Sequence, residues 1–98
     1  MSEHPRHQLV GALTHPVRFS IVAALNAVES AEFGTVAAQL QISDSVLSRQ
    51  AAQLEELGLV AIKKGYVGKR PRTWLSLTKE GRAQWSQHLA ALQSIASL

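Results

Sequence analysis

Between residues 43 and 64 the chain reads SDSVLSRQAAQLEELGLVAIKK, and this stretch restricts the possible folds more than any other. Ser43 places a side-chain acceptor ahead of an apolar-periodic run, and Asp44 suits the positive end of a helix. Val46, Leu47, Ala51, Leu54 and Leu57 then fall on one helical stripe. Gly58, free to adopt left-handed backbone, predicts the stop, so the helix should cover 43–57. An apolar run, Leu59, Val60, Ala61 and Ile62, follows without a spacer and predicts a strand leading into Lys63 and Lys64. The opposite helix face carries Ser45, Ser48, Arg49, Ala52 and Gln53. It is short and polar with a single cation, a surface that fits the major groove and can read base edges. An ordinary amphipathic helix with a solvated face has the same local pattern, so the surrounding chain has to decide.

Ninety-eight residues make one domain, 1–98, near the size at which oligomerisation helps. The absence of cysteine excludes disulfides and thiolate metal sites and fits a reducing compartment. No apolar run reaches the roughly 18 residues of a membrane span. The opening MSEHPRHQ is too polar for a signal peptide, so a soluble cytoplasmic protein without a membrane partner is expected. Residues 1–58 hold three Lys/Arg against six acids, whereas residues 59–98 hold seven against one; these nets of −3 and +6 make up the overall +3. Residues 63–72 contain five cations and no acid. That asymmetry points to a polyanionic partner.

Residues 6–13 read as a short helix with Leu9, Val10 and Leu13 apolar. His15-Pro16 restarts the chain, since proline is tolerated in a first helical turn. A core helix over 16–28 follows, with Val17, Ile21, Ala24, Leu25 and Val28 as its stripe. Residues 29–32 read as a polar turn and 35–40 as a short helix, with Gln41-Ile42 as a tight connection into the helix from Ser43. Two helices so joined, the second longer, make a helix-turn-helix pattern, although the usual glycine is missing from the turn. Residues 72–77 alternate apolar and polar and should return antiparallel to 59–62 through a loop at 68–71. Either Trp74 or the pair Leu75 and Leu77 faces inward, and the pattern leaves that open. Thr78 should cap a last helix over 79–97, with Trp85, Leu89, Leu92 and Ala96 as its stripe, widened by Ala91 and Ile95. Gly81 in its first turn costs about 1 kcal/mol relative to alanine, which implies a close packing contact.

This order of elements is that of a winged helix-turn-helix domain: mainly α, with a small β-hairpin wing. HPVRFSIVAAL, FGTVAAQLQISDSVLSRQAAQLEELGLVAIKK and KRPRTWLSLTKEGRAQW resemble, over residues 15–85 and so most of the chain, the compact winged-helix regulators related to the MarR and ArsR families. HPVR, SRQAAQLEELGLV and LSLTKEGR are diagnostic in combination. The resemblance implies a transcriptional regulator that binds double-stranded DNA as a homodimer, through terminal helices 3–13 and 79–97. It also implies helix 43–57 in the major groove and wing 63–73 on the backbone or minor groove. Gln50 stands where many such relatives carry histidine. Relatives often sense a small molecule, but no residues here mark an effector site.

Lys63, Lys64, Lys69, Arg70 and Arg72, with Thr73 beside them, are the candidates for phosphate contact. Three to five such contacts predict a salt slope of roughly −3 to −5 per subunit. Arg49 is placed for a bidentate guanine contact, worth roughly 1–3 kcal/mol of discrimination, or nearly as readily for a phosphate. Ser45, Ser48 and Gln53 can meet bases or phosphates. Leu9, Leu13, Trp85, Leu89, Leu92 and Ile95 either close the subunit core or form a two-fold interface; the second is favoured because two apolar terminal helices exceed the needs of a small core. Two-fold pairing sets recognition helices about 34 Å apart and requires a near-palindromic site. His4, His7, His15 and His88 read as surface or capping residues, so no metal or other cofactor is expected. No nucleophile–base pair or phosphate-cradling loop is present, so the chain does not read as an enzyme. The alternative is a winged helix that meets an acidic protein partner.

Overall fold

The helix expected over 43–57 forms as α3, Asp44–Glu56, in a computed structural model that describes residues 3–98. Residues 1–2 of the expected domain lie outside the described residues. The Val46 amide donates to Ser43 Oγ at 3.1 Å. At the other end Gly58 takes φ +79°. The Gly58 amide donates to the Glu55 carbonyl at 2.9 Å and the Leu59 amide to the Leu54 carbonyl at 3.0 Å, the two bonds of a Schellman cap. The same device ends α2, Phe33–Leu40, with Gln41 in place of glycine at φ 56°. The Gln41 amide donates to Ala38 at 3.2 Å and the Ile42 amide to Ala37 at 3.1 Å. The tight turn between α2 and α3 is thus made without glycine, at a local cost of about 1–2 kcal/mol for left-handed backbone. The buried stripe of α3 is Leu47, Gln50, Ala51 and Leu54. Leu57, expected on that stripe, is 58% exposed, because the chain turns into the wing there and leaves it uncovered.

Before these helices come two 3-10 turns, Pro5–Gln8 and Gly11–Thr14, and then α1, Pro16–Asn26. The continuous helix expected over 6–13 is broken at Leu9-Val10, where the Val10 amide donates to His88 Nδ1 at 3.0 Å instead of to a helical carbonyl. α1 buries Ile21, Val22 and Leu25. It stops two residues short of Val28, which is exposed rather than on the core stripe. Arg82, from the last helix, donates to the carbonyls of Asn26 at 3.2 Å and Val28 at 3.0 Å. It brings positive charge to a helix end that has no basic residue of its own. The core joins α1 to Val36 of α2, to the α3 stripe and to Leu59, Val60, Leu75 and Leu77 at the base of the wing. Each fully buried leucine contributes about 1.5–3 kcal/mol of transfer free energy.

Strands β2, Val60–Val67, and β3, Arg70–Leu77, form the wing, and β1, Ala31–Glu32, pairs with β3 at Leu75 and Trp74. The order is β1-β3-β2, all antiparallel. The residues expected as a polar turn at 29–32 therefore supply a short third strand. The expected loop at 68–71 shrinks to two residues, Gly68-Lys69, with Gly68 at φ +62°, and both strands are correspondingly longer. Glycine first in a two-residue hairpin turn matches the right-handed twist of the strands. Leu75 and Leu77 face the core. Trp74 lies on the outer face across Gly65, where an added Cβ would come within 3.1 Å of Trp74 Cζ3.

The last helix, α4, runs Lys79–Ala96 and starts as expected at Thr78, whose Oγ accepts from the Gly81 amide at 2.9 Å. The same hydroxyl donates to the Gly58 carbonyl at 2.6 Å, and the Thr78 amide donates to the Leu59 carbonyl at 3.1 Å. A Cβ on Gly81 would collide with that Leu59 carbonyl, whose carbon lies 3.0 Å away. This contact explains a glycine in a helical first turn. Further along, α4 packs on the N-terminal segment through His88 and a bond from Gln87 to the Gln8 carbonyl at 3.0 Å, and on α1 through a tilted Phe19–Trp85 ring contact at 5.0 Å. His88 is buried, in contrast to the surface position expected for it. Burial lowers its pKa from the ordinary 6.5, with a backbone hydrogen bond to Leu13 acting in the opposite sense.

Gly81→Ala should destabilise the fold by roughly 1–3 kcal/mol, seen as a lower melting temperature, although helix propensity alone favours alanine by about 1 kcal/mol. A raised melting temperature would contradict the close crossing. His88 should make stability fall on acidification. Below pH 6.5 the unfolded chain takes up a proton that the folded chain resists, so unfolding free energy drops until the folded-state pKa is passed. Urea unfolding of wild type and His88→Gln across this range checks the sign, with the shallower slope expected in the variant.

Candidate nucleic-acid interface

The outward face of α3 presents Ser45, Ser48, Arg49, Ala52 and Gln53, all exposed. Ser45 Oγ lies 3.1 Å from the capping Ser43 Oγ. Gln50 lies on the buried flank, 8% exposed. An arginine from α1 ties this helix down. Arg18 Nη1 donates to Gln50 Oε1 at 3.2 Å and Gln53 Oε1 at 3.3 Å, and its Nε donates to the Ala12 carbonyl at 2.8 Å. Gln53 is thus shared between the exposed face and Arg18. Nothing in the spacing of charges singled out Arg18; its only sequence signal is its place in HPVR. His15 Nδ1 caps the start of α1 by accepting from the Val17 amide at 3.1 Å, which sets where Arg18 begins.

The wing sorts its cations by strand alternation. Lys64 and Thr73 are cross-strand partners on the face that carries Ile62 and Leu75. With Phe33 and with Ser48, Ala51, Ala52 and Glu55 of α3, these four residues line an open cleft of about 630 Å³ between α3 and the wing. Lys63, Arg70 and Arg72 alternate onto the outer face with Trp74, while Lys69 occupies the turn. Arg72 Nε stands 3.4 Å from Glu32 Oε1 of β1 in a partly exposed pair, an interaction worth about 1 kcal/mol or less. The five cations therefore do not gather at one tip. Only Lys69 and Arg70 lie there, Lys64 turns toward α3, and Arg72 already has an acidic neighbour.

The residues expected at a two-fold interface divide as well. Leu13 is 1% exposed and belongs to the subunit core, and Trp85 packs against Phe19. Leu9, Leu89 and Ile95 are half-buried, and Leu92 is 37% exposed. Leu9, Leu13, Phe19, His88 and Leu92 line a shallow apolar hollow of about 310 Å³ beside the start of α1. The molecule measures 59 × 25 × 21 Å with a radius of gyration of 14.8 Å, more extended than the roughly 13 Å of a globular chain this long. Among the described residues, no cluster of three or more His, Cys, Asp or Glu could hold a metal ion, and no helix is long and apolar enough to cross a membrane.

This architecture has known counterparts. The family model described as a winged helix DNA-binding domain matches residues 17–96. An uncharacterized protein of Methanocaldococcus jannaschii is 32% identical over 73 residues, covering 74% of this chain and 79% of that protein. The structure of a transcriptional regulator homologue from Pyrococcus horikoshii OT3 superposes with a TM-score of 0.88 at 26% identity, covering 98% of this chain and 96% of the other. NadR, solved in complex with 4-hydroxyphenylacetate, gives a TM-score of 0.75 at 25% identity over 95% of this chain and 65% of its own. A MarR family transcriptional regulator from Silicibacter pomeroyi shares the fold at 23% identity, with a TM-score of 0.66 over 81% of this chain and 52% of that one. The Pyrococcus horikoshii and Silicibacter pomeroyi proteins are regulators of transcription, not enzymes. The chain belongs to the winged helix DNA-binding domain family, and its fold is that of MarR-type transcriptional regulators.

Proposed function

We propose that the protein regulates transcription as a homodimer that binds double-stranded DNA at a near-palindromic site. Its main support is the cleft between α3 and the wing. An exposed helix face with Ser48, Ala52 and a single acid, Glu55, at the cleft borders a strand that turns Lys64 and Thr73 toward it. α3 enters the major groove, with Arg49 on a guanine and Ser45, Ser48 and Gln53 on neighbouring bases or phosphates. Residues 63–73 lie on the backbone and minor groove, where Lys63, Lys64, Lys69 and Arg70 supply the electrostatic attraction and Arg72 supplies less because of Glu32. Leu9, Leu89, Leu92 and Ile95 form the two-fold contact, with Leu13 and Trp85 supporting them from the core. The extended shape and the exposure of Leu92 near the end of α4 favour this pairing. It would set the two α3 helices about 34 Å apart. A small-molecule effector is in keeping with the ligand bound to NadR, and the hollow between α4 and the start of α1 has room for one. A DNA partner and a chain without cysteine suit the cytoplasm.

Fluorescence anisotropy with random and selected duplexes across a salt series tests the reading. Wild type should bind, and Lys69→Ala/Arg70→Ala should flatten the log–log salt slope by about 2 per subunit on every duplex, since each phosphate contact contributes roughly 0.9. Arg72→Ala should flatten it less. An unchanged slope in the double variant would remove the wing as the clamp. No binding to any duplex at about 50 mM salt would favour an acidic protein as the partner.

A further inference from the structure

The inner face of the wing does not simply grade from apolar to polar as it leaves the core. Its cross-strand pairs, from base to tip, are Val60–Leu77, Ile62–Leu75, Lys64–Thr73 and Tyr66–Pro71. Val60, Leu75 and Leu77 are buried in the core and Ile62 packs against it, and the third pair is polar. The fourth is apolar again, beyond the reach of the core. Tyr66 is the only tyrosine in the chain and is 73% exposed. Val67, on the opposite face, is 56% exposed. The end of the hairpin is thus an apolar tip that also carries Lys69 and Arg70, with Lys64 next to it on the inner face.

We infer that Tyr66, braced by Pro71, is a nonionic wedge that packs into the minor groove of the bound duplex. This deepens the DNA-binding reading and rests on it. Charge selects the occupant. Burying the tip against an apolar protein surface would strip water from Lys69 and Arg70 at high cost, whereas a duplex groove offers phosphates to both while its sugar walls receive the ring. The minor groove is about 6 Å wide and admits an aromatic ring edge-on. Apolar side chains inserted there gain contact without reading bases directly. Proline fixes one strand of the tip, and the two-residue turn at Gly68 fixes the register, so the backbone that carries the ring is set before binding. The outward placement of the tyrosine and the alternation of the strands put it on the same side as Lys64 and the cleft facing α3.

The contact is separable from the ionic ones because it releases no counterions. In anisotropy titrations on a selected duplex, Tyr66→Ala should weaken binding about tenfold with an unchanged salt slope, and Tyr66→Phe should keep most of the affinity. Circular dichroism and melting temperature of both variants should match wild type, since the ring is exposed. Hydroxyl-radical footprinting should show loss of sugar protection in the flanking minor groove for Tyr66→Ala while protection over the central major groove persists. Equal affinity of Tyr66→Ala and wild type would overturn the wedge, as would a Tyr66→Phe variant as weak as Tyr66→Ala, which would assign the effect to the hydroxyl. Loss of self-association in Tyr66→Ala without loss of minor-groove protection would also overturn it, and would give the tip to a second copy of the chain. Failure of wild type to bind any duplex would instead defeat the DNA-binding reading itself, and the wedge with it.

Discussion

The placement of the wing against α3 depends on one backbone crossing, Thr78 and Gly81 against Gly58 and Leu59. Four elements meet there: the end of α3, the start of β2, the end of β3 and the start of α4. Thr78 caps its own helix and, through the same hydroxyl, holds the carbonyl of the glycine that ended α3. Its amide holds the next carbonyl along. Gly81 allows the first turn of α4 to press on Leu59, where a side chain would collide. These carbonyls lie in the link between α3 and β2, where a buried acceptor needs a partner. Satisfying them with the cap of the next helix fixes the angle at which the hairpin leaves the core. The cleft between α3 and the wing takes its shape from that angle.

The other side of α3 is fixed by Arg18, whose guanidinium spans the Ala12 carbonyl, Gln50 and Gln53. Hydrogen bonds to a charged group are stronger than neutral ones, and here they set the rotation of the helix as well as its position. Gln53 is the point where this internal brace and the outward face meet. A change in the N-terminal segment therefore has a short path to the face proposed to read DNA: from Ala12 through Arg18 to Gln53. His88 ties the same segment to α4. The proposed two-fold contact and the proposed reading face thus share supports within one subunit.

Signals carried by one or two residues were legible in the sequence. Ser43, Gly58 and Thr78 each mark a helix end with a side chain or a backbone freedom that few residues offer, and all three act there as expected. Gly81 was legible as a cost that needed a reason. Features made by a distant partner were not. Ala31 and Glu32 form a strand only because β3 is beside them, and Val10 leaves the helical pattern only because His88 accepts its amide. Trp74 and Leu75 are both apolar, so alternation alone could not say which faced inward; the core supplied the answer by burying Leu75 and Leu77. The count of cations at 63–72 was correct, but their division between two faces and a turn followed from a hairpin longer than the apolar run that announced it. The pairing of Arg72 with Glu32 could not be read without β1.

In the proposed reading, α3 is a lightly charged reader whose affinity has to come from elsewhere, and the wing has the charge to supply it. Selection of duplexes from a random pool tests this division most directly. The account predicts enriched sites with two related half-sites about 10 base pairs apart, centre to centre. It also predicts a guanine preference in each half-site that disappears with Arg49→Ala while binding to unselected DNA is retained. Enrichment of sites without two-fold symmetry, or no enrichment over the starting pool, would contradict it.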